Sequence, residues 1–205
     1  MIMKLYYSAA SPYVRKVSVS AIELGLDSRI ERLPAAASPV ARDENVARAN
    51  PTGKVPTMLL ADGTALFDSV VICEYLDSIA DRPRLFPPEG PERFRALREH
   101  AIGDGILDAA LLARYESTLR PAELRWQAWL DGQLRKVSSG LDVVEAECSA
   151  FGERFDIGTL TIACALGYLD FRFPDLHWRT GRPAATRWYE RVSARPSLRD
   201  TVPRG

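Results

Sequence analysis

Three short polar stretches have the residue types to do chemistry. The first is Ser11-Pro12-Tyr13-Val14, within SAASPYVRKV, where a loop of small residues meets a proline and a helical pattern begins. A serine directly before a proline at a first helical position is a common N-cap. The stretch holds no cysteine, so dithiol redox chemistry is excluded there and hydroxyl chemistry, from Ser11 or from Ser8, is what remains. The second is Val55-Pro56, just before a strand-like run, where a proline blunts the strand start. The third is Asp68-Ser69, at the change from strand pattern to helix pattern, where free backbone N–H groups and the helix dipole favour an anion. Asp68 also serves as an N-cap, and both uses fit one helix end.

The elements that must position these residues follow from periodicity. Lys4 to Ser8 is aromatic-rich like a short strand, and Tyr13 to Leu24 carries apolar residues at helical spacing until Gly25. Ser28 to Leu33 alternates like a second strand, and Pro39 to Asn50 reads as a short polar helix opened by Pro39. TMLL and TALF flank an Asp62-Gly63 turn and form a hairpin, after which Asp68 caps a helix bearing Val71, Ile72, Tyr75 and Leu76. The order is βαβαββα. Four prolines and a glycine between Asp81 and Pro91 then forbid continuous secondary structure and mark a linker. Beyond it the patterns are helical: Phe94, Leu97, Ala101, Ile102 and Leu107; then Leu124, Leu130, Leu134, Val137, Leu141 and Val144; then about Thr159 to Phe173; then a helix from Pro183. The expected division is 1–80, a linker at 81–91, and an all-helical unit at 92–205.

Composition narrows the function classes. The 205 residues are 46% hydrophobic and 26% charged, and Lys plus Arg and Asp plus Glu each number 27. A net charge of zero without a basic run argues against a nucleic-acid partner. The apolar run Ile157 to Leu169 is shorter than the ~20 residues that cross a bilayer, so no membrane role is expected. MIMKLYYS has no signal-peptide pattern, and the expected location is cytoplasmic. Cys73, Cys148 and Cys164 are odd in number and widely spaced, and only His100 and His177 accompany them, which argues against a disulfide framework and against a metal centre.

A βαβαββα unit, a proline-rich linker and a helical second half, together with NPTGKVPTMLLADGTALFDSVVICEYLDSIA from Asn50 to Ala80, resemble the glutathione S-transferase family over nearly the whole chain. The resemblance implies an α/β thioredoxin-like N-terminal domain, an all-α C-terminal helical bundle, glutathione as co-substrate, and a homodimer. It implies a cis Val55–Pro56 bond, with the Val55 backbone pairing the cysteinyl part of glutathione like an added strand. It assigns the γ-glutamyl end to Asp68 and Ser69, and Lys54 to the glycyl carboxylate. Where glutaredoxin-like proteins carry Cys-Pro-Tyr-Cys, this chain has Ser11-Pro12-Tyr13-Val14, so Ser11 becomes the donor to the thiolate of bound glutathione, with Ser8 the rival hydroxyl. Asp104, Asp108 and Arg114 fall on the helix that lines the electrophile pocket in this family; the plain reading of three helical charges is a solvated face. Asp156 and Thr159 stand as a capping pair with the family's residue types exchanged, and Cys164 reads as core. The implied reaction is attack of the thiolate on an electrophilic small molecule. The alternatives are a glutathione-dependent disulfide reductase and a non-catalytic glutathione-binding or interaction protein of the same fold.

Overall fold

The computed structural model describes residues 2–81 and 85–205. The first unit is β1 (Met3–Tyr7), α1 (Pro12–Glu23), β2 (Ile30–Pro34), α2 (Glu44–Ala49), β3 (Thr57–Leu59), β4 (Ala65–Leu66) and α3 (Ser69–Ser78). Its sheet runs β2-β1-β3-β4, with β1 and β2 parallel and the pairs β1–β3 and β3–β4 antiparallel. This is the expected thioredoxin-like arrangement. The β3–β4 hairpin closes through a Leu60 N–H bond to the Thr64 carbonyl at 2.8 Å, and Gly63 takes the left-handed φ of +88° that the turn needs.

The polar helix starts later than its pattern suggests. Pro39 lies in a turn bridged between Ser38 and Ala41, and α2 begins only after Asp43. The Asp43 carboxylate outcompetes a proline as an initiator because it accepts from the Val46 and Asn45 N–H groups, and from Ala36 as well. Those backbone bonds, led by Val46, hold its pKa below the usual carboxylate value.

The helical unit comprises α4 (Gly90–Thr118), α5 (Gln127–Glu147), α6 (Ile157–Arg172), α7 (Pro183–Ser193) and the short α8 (Pro196–Arg199). Residues 82–84 of the expected linker lie outside the described residues, and α4 already begins within its last residues, at Gly90 with Pro91 in the first turn. Not every member of the expected stripes is core: Phe94 and Ala101 are exposed on α4, and Leu124 sits exposed in a separate 3-10 turn before α5. Helix α6 is the centre of the molecule, buried continuously from Ile157 to Leu169. Its start is fixed by the Asp156–Thr159 capping box: the Asp156 carboxylate accepts from the Gly158 and Thr159 N–H groups, and the Thr159 hydroxyl accepts from Asp156 N–H. The exchanged residue types therefore cap as the family pair does. Helix α4 lies so close to α6 that a Cβ at Gly158 would meet the Ala96 carbonyl at 2.7 Å. This close approach brings the polar face of α4 up against α1.

Candidate active site

Strand order alone brings the three polar stretches to one end of the sheet. Tyr6 of β1 pairs with Thr57 of β3, so the loop Ser8 to Ser11 that follows β1 lies beside Val55-Pro56, which precedes β3. Met58 pairs with Leu66, so the chain leaving β4 delivers Asp68 and Ser69 to the same edge. The Val55–Pro56 peptide is cis, as is Phe67–Asp68.

Each stretch is held by local bonds that leave polar groups for a ligand. Ser11 is the N-cap of α1, and its hydroxyl oxygen accepts from Val14 N–H at 3.3 Å. Capping uses a lone pair, so the hydroxyl proton stays free to be donated outward. The Ser8 carbonyl accepts from Ser11 N–H, which sets the loop between the two hydroxyls. Asp68 caps α3 through Val70 N–H at 3.1 Å, with Ser69 buried beside it. Around the cis bond, the Lys54 carbonyl accepts from Asn50 and Thr57 side chains, while the Lys54 side chain is exposed and has no ion pair among the described residues.

Helix α4 closes the site from the other unit, and it treats its three candidate residues differently. Asp104 accepts from the Lys16 ammonium of α1 at 2.7 and 2.9 Å. Lys16 is fully buried, and the His100 Nε2 lies 3.0 Å from its nitrogen and 3.2 Å from Asp104. Asp108 accepts from the Tyr13 hydroxyl. Arg114 has no ion pair among the described residues. Asp104 and Asp108 thus tie α4 to α1, and Arg114 stays uncommitted.

Burial governs the titration of this cluster. Desolvation, then the Asp108 bond, pushes the Tyr13 phenol far above its ordinary value, so Tyr13 stays protonated and its proton is spent on Asp108. Burial raises the Asp104 carboxyl against the lowering effect of Lys16, and burial followed by the Lys16 charge lowers His100 to about 3. A histidine depressed in the folded state is protonated first on unfolding, so stability is lost as pH falls from about 6.5 toward about 3. Asp104, raised in the folded state, opposes this at the acid end. His100→Gln should flatten the loss, read as denaturant midpoints at pH 7, 5 and 4; an unchanged slope would show that His100 is not its source.

Tyr13, Lys16 and His100 were not singled out from the sequence. A signal was there, since Lys16 falls on the same helical stripe as Tyr13 and Ser20, and His100 and Asp104 are four apart on one face. The cysteines play no part: all three are free and buried, and burial raises Cys73 to about 12.

The fold is a thioredoxin-like domain joined to a helical bundle, with the three polar stretches at one end of the sheet. Residues 10–79 match the N-terminal domain of glutathione S-transferases and residues 127–191 their C-terminal domain. The chain is 35% identical to the uncharacterized GST-like protein YibF of Escherichia coli K12, over 98% of both proteins. A glutathione transferase family member from Pseudomonas fluorescens Pf-5 with bound glutathione superimposes with a TM-score of 0.97 at 45% identity, over 99% of this chain and 100% of that one. A structure of a family member from the same organism holds S-(propanoic acid)-glutathione, with a TM-score of 0.92 at 44% identity over 98% and 100% of the chains. The chain belongs to the glutathione S-transferase family.

Proposed function

We propose that this protein is a glutathione transferase that binds reduced glutathione at the sheet edge and turns its sulfur on an electrophilic small molecule. The observation that carries this reading is the convergence of Ser11, the cis Val55–Pro56 peptide and the Asp68-Ser69 helix end, in a chain that superimposes on relatives holding glutathione and a glutathione conjugate. Asp68 and Ser69 take the γ-glutamyl end, the Val55 N–H and C=O pair the cysteinyl part, and the exposed Lys54 reaches the glycyl carboxylate. Ser11 donates its hydroxyl proton to the sulfur. The thiolate then forms a bond to the electrophilic carbon; in a substitution the leaving group departs with its electron pair, and in an addition the neighbouring carbon takes up a proton. Pairing of two copies, with the sites near the interface, and residence in the cytoplasm complete the reading. All three cysteines are buried, which sets the reading apart from thiol–disulfide exchange by the protein itself.

Calorimetric titration with reduced glutathione tests the proposal. Saturable heat is expected, together with a raised melting temperature, because a ligand that binds only the folded state stabilises it. Absence of both at millimolar glutathione would leave the scaffold reading in its place.

A further inference from the structure

Two guanidinium groups, Arg114 of α4 and Arg172 in the last turn of α6, lie within electrostatic range of Tyr168 of α6. Tyr168 is fully buried, and its phenol is influenced by both arginines and in turn influences Tyr13. The end of the chain links this region to the serine loop. Arg204 N–H donates to the Ala9 carbonyl at 3.3 Å, and Gly205 lies against the Phe171 ring and the Arg172 guanidinium.

Neither arginine has an ion pair among the described residues, although most acids near them are engaged. Asp104 is committed to Lys16, Asp108 to Tyr13, and Asp170 to Arg179 and Trp178. The Arg172 guanidinium stacks on the Phe171 ring with 3.9 Å between its carbon and the ring centroid, and its Nε is buried without a hydrogen-bond partner. Burial, then the charge of Arg114, lowers the Arg172 pKa, the direction expected for two cations with no anion between them. A buried donor without a partner and a second cation beside it form a site that an oxyanion completes, and a planar guanidinium is suited to a carboxylate's two oxygens.

Resting on the transferase reading above, we propose that the electrophile this enzyme takes carries a carboxylate, which Arg114 and Arg172 hold while its reactive carbon faces the glutathione sulfur. Lys16 is fully buried and already neutralised by Asp104, and does not compete for the anion. Arg172 supplies the planar fork and Arg114 the second charge, so the pair selects for charge more than for the shape of the remaining group.

The test uses 4-(chloromethyl)benzoate and its methyl ester, which present the same reacting carbon with and without the charge. In both, the thiolate forms the C–S bond as C–Cl breaks and chloride leaves with the bonding pair. The parent should favour the acid in kcat/KM, after correction for the uncatalysed rates. Arg172→Gln and Arg114→Gln should each reduce turnover of the acid by about 10- to 100-fold, the scale of one charge-assisted hydrogen bond, while the ester rate and the affinity for glutathione stay as in the parent. Ester turnover also reports that each variant is folded. At equilibrium, the parent should bind S-(4-carboxybenzyl)glutathione more tightly than S-benzylglutathione, and both variants should lose the difference. If the parent binds glutathione and conjugates the ester as fast as the acid, the carboxylate inference fails while the transferase reading stands. Loss of glutathione binding itself would overturn the transferase reading instead.

Discussion

Ser11→Ala should raise the pKa of the thiol of bound glutathione by about one to two units and leave affinity for the tripeptide nearly unchanged. A free thiol of this kind titrates near 8.5 and is only a few per cent thiolate at pH 7. A hydrogen bond to a charged acceptor contributes about 1.5–3 kcal/mol, which is enough to make thiolate the major species. The hydroxyl proton is available because capping uses only the oxygen lone pair, toward Val14 N–H. The N-terminus of α1 adds a smaller push, about 0.3–1 kcal/mol. Ultraviolet titration of the binary complex reads the shift directly. If Ser8→Ala moves the pKa and Ser11→Ala does not, the donor is Ser8; if neither does, the dipole and backbone amides carry the activation. Loss of the cap should also cost about 1 kcal/mol of stability, which separates the two roles of one side chain.

Lys16→Met should be the most destabilising single change at the site, lowering the unfolding free energy by about 3 kcal/mol. Removing one member of a buried pair leaves the other charge uncompensated, at a cost of about 3–5 kcal/mol, and the partial exposure of Asp104 places the effect at the lower end. The double variant Lys16→Met, Asp104→Leu should recover most of that loss, because replacing both partners of a buried pair by apolar groups is often neutral. Denaturant unfolding of the four proteins in the cycle measures it. A Lys16→Met protein within 1 kcal/mol of the parent would mean that the ammonium is solvated after all.

The candidate edge at Ser11, Val55-Pro56 and Asp68-Ser69 was legible in the sequence because it is built from backbone and short polar residues placed by local rules. A serine before a helical proline, a proline before a strand and an Asp-Ser pair between strand and helix each announce their position, and the Asp62-Gly63 turn announces the β3–β4 hairpin. The opposite wall was only half legible. Asp104, Asp108 and Arg114 could be placed on one helix, but the partners of the two acids come from α1, 88 residues away for the Lys16–Asp104 pair and 95 for Tyr13–Asp108. In the sequence Lys16 is one charge among the residues of a helical pattern, and nothing local shows that α4 meets that face. The late start of α2 has the same origin on a smaller scale, since the three N–H groups that Asp43 gathers are known only once the loop is folded.

Helix α1 ties together parts of the molecule that sequence order keeps apart. Ser11 begins it, Tyr13 and Lys16 hold it to α4, and Arg15 donates to the Leu198 carbonyl at 3.0 Å near the end of the chain. The Ser11 end of α1 is therefore fixed in part by contacts to α4 and to the end of the chain, and the two halves are not interchangeable modules. A chimera joining residues 1–80 to the helical half of a relative would inherit every proposed glutathione contact, yet its reactivity would depend on whether the new half supplies acceptors for Tyr13, Arg15 and Lys16. Recombination between relatives is thus constrained at these three seams, and drift at the electrophile wall can retune the sulfur without any change at the serine.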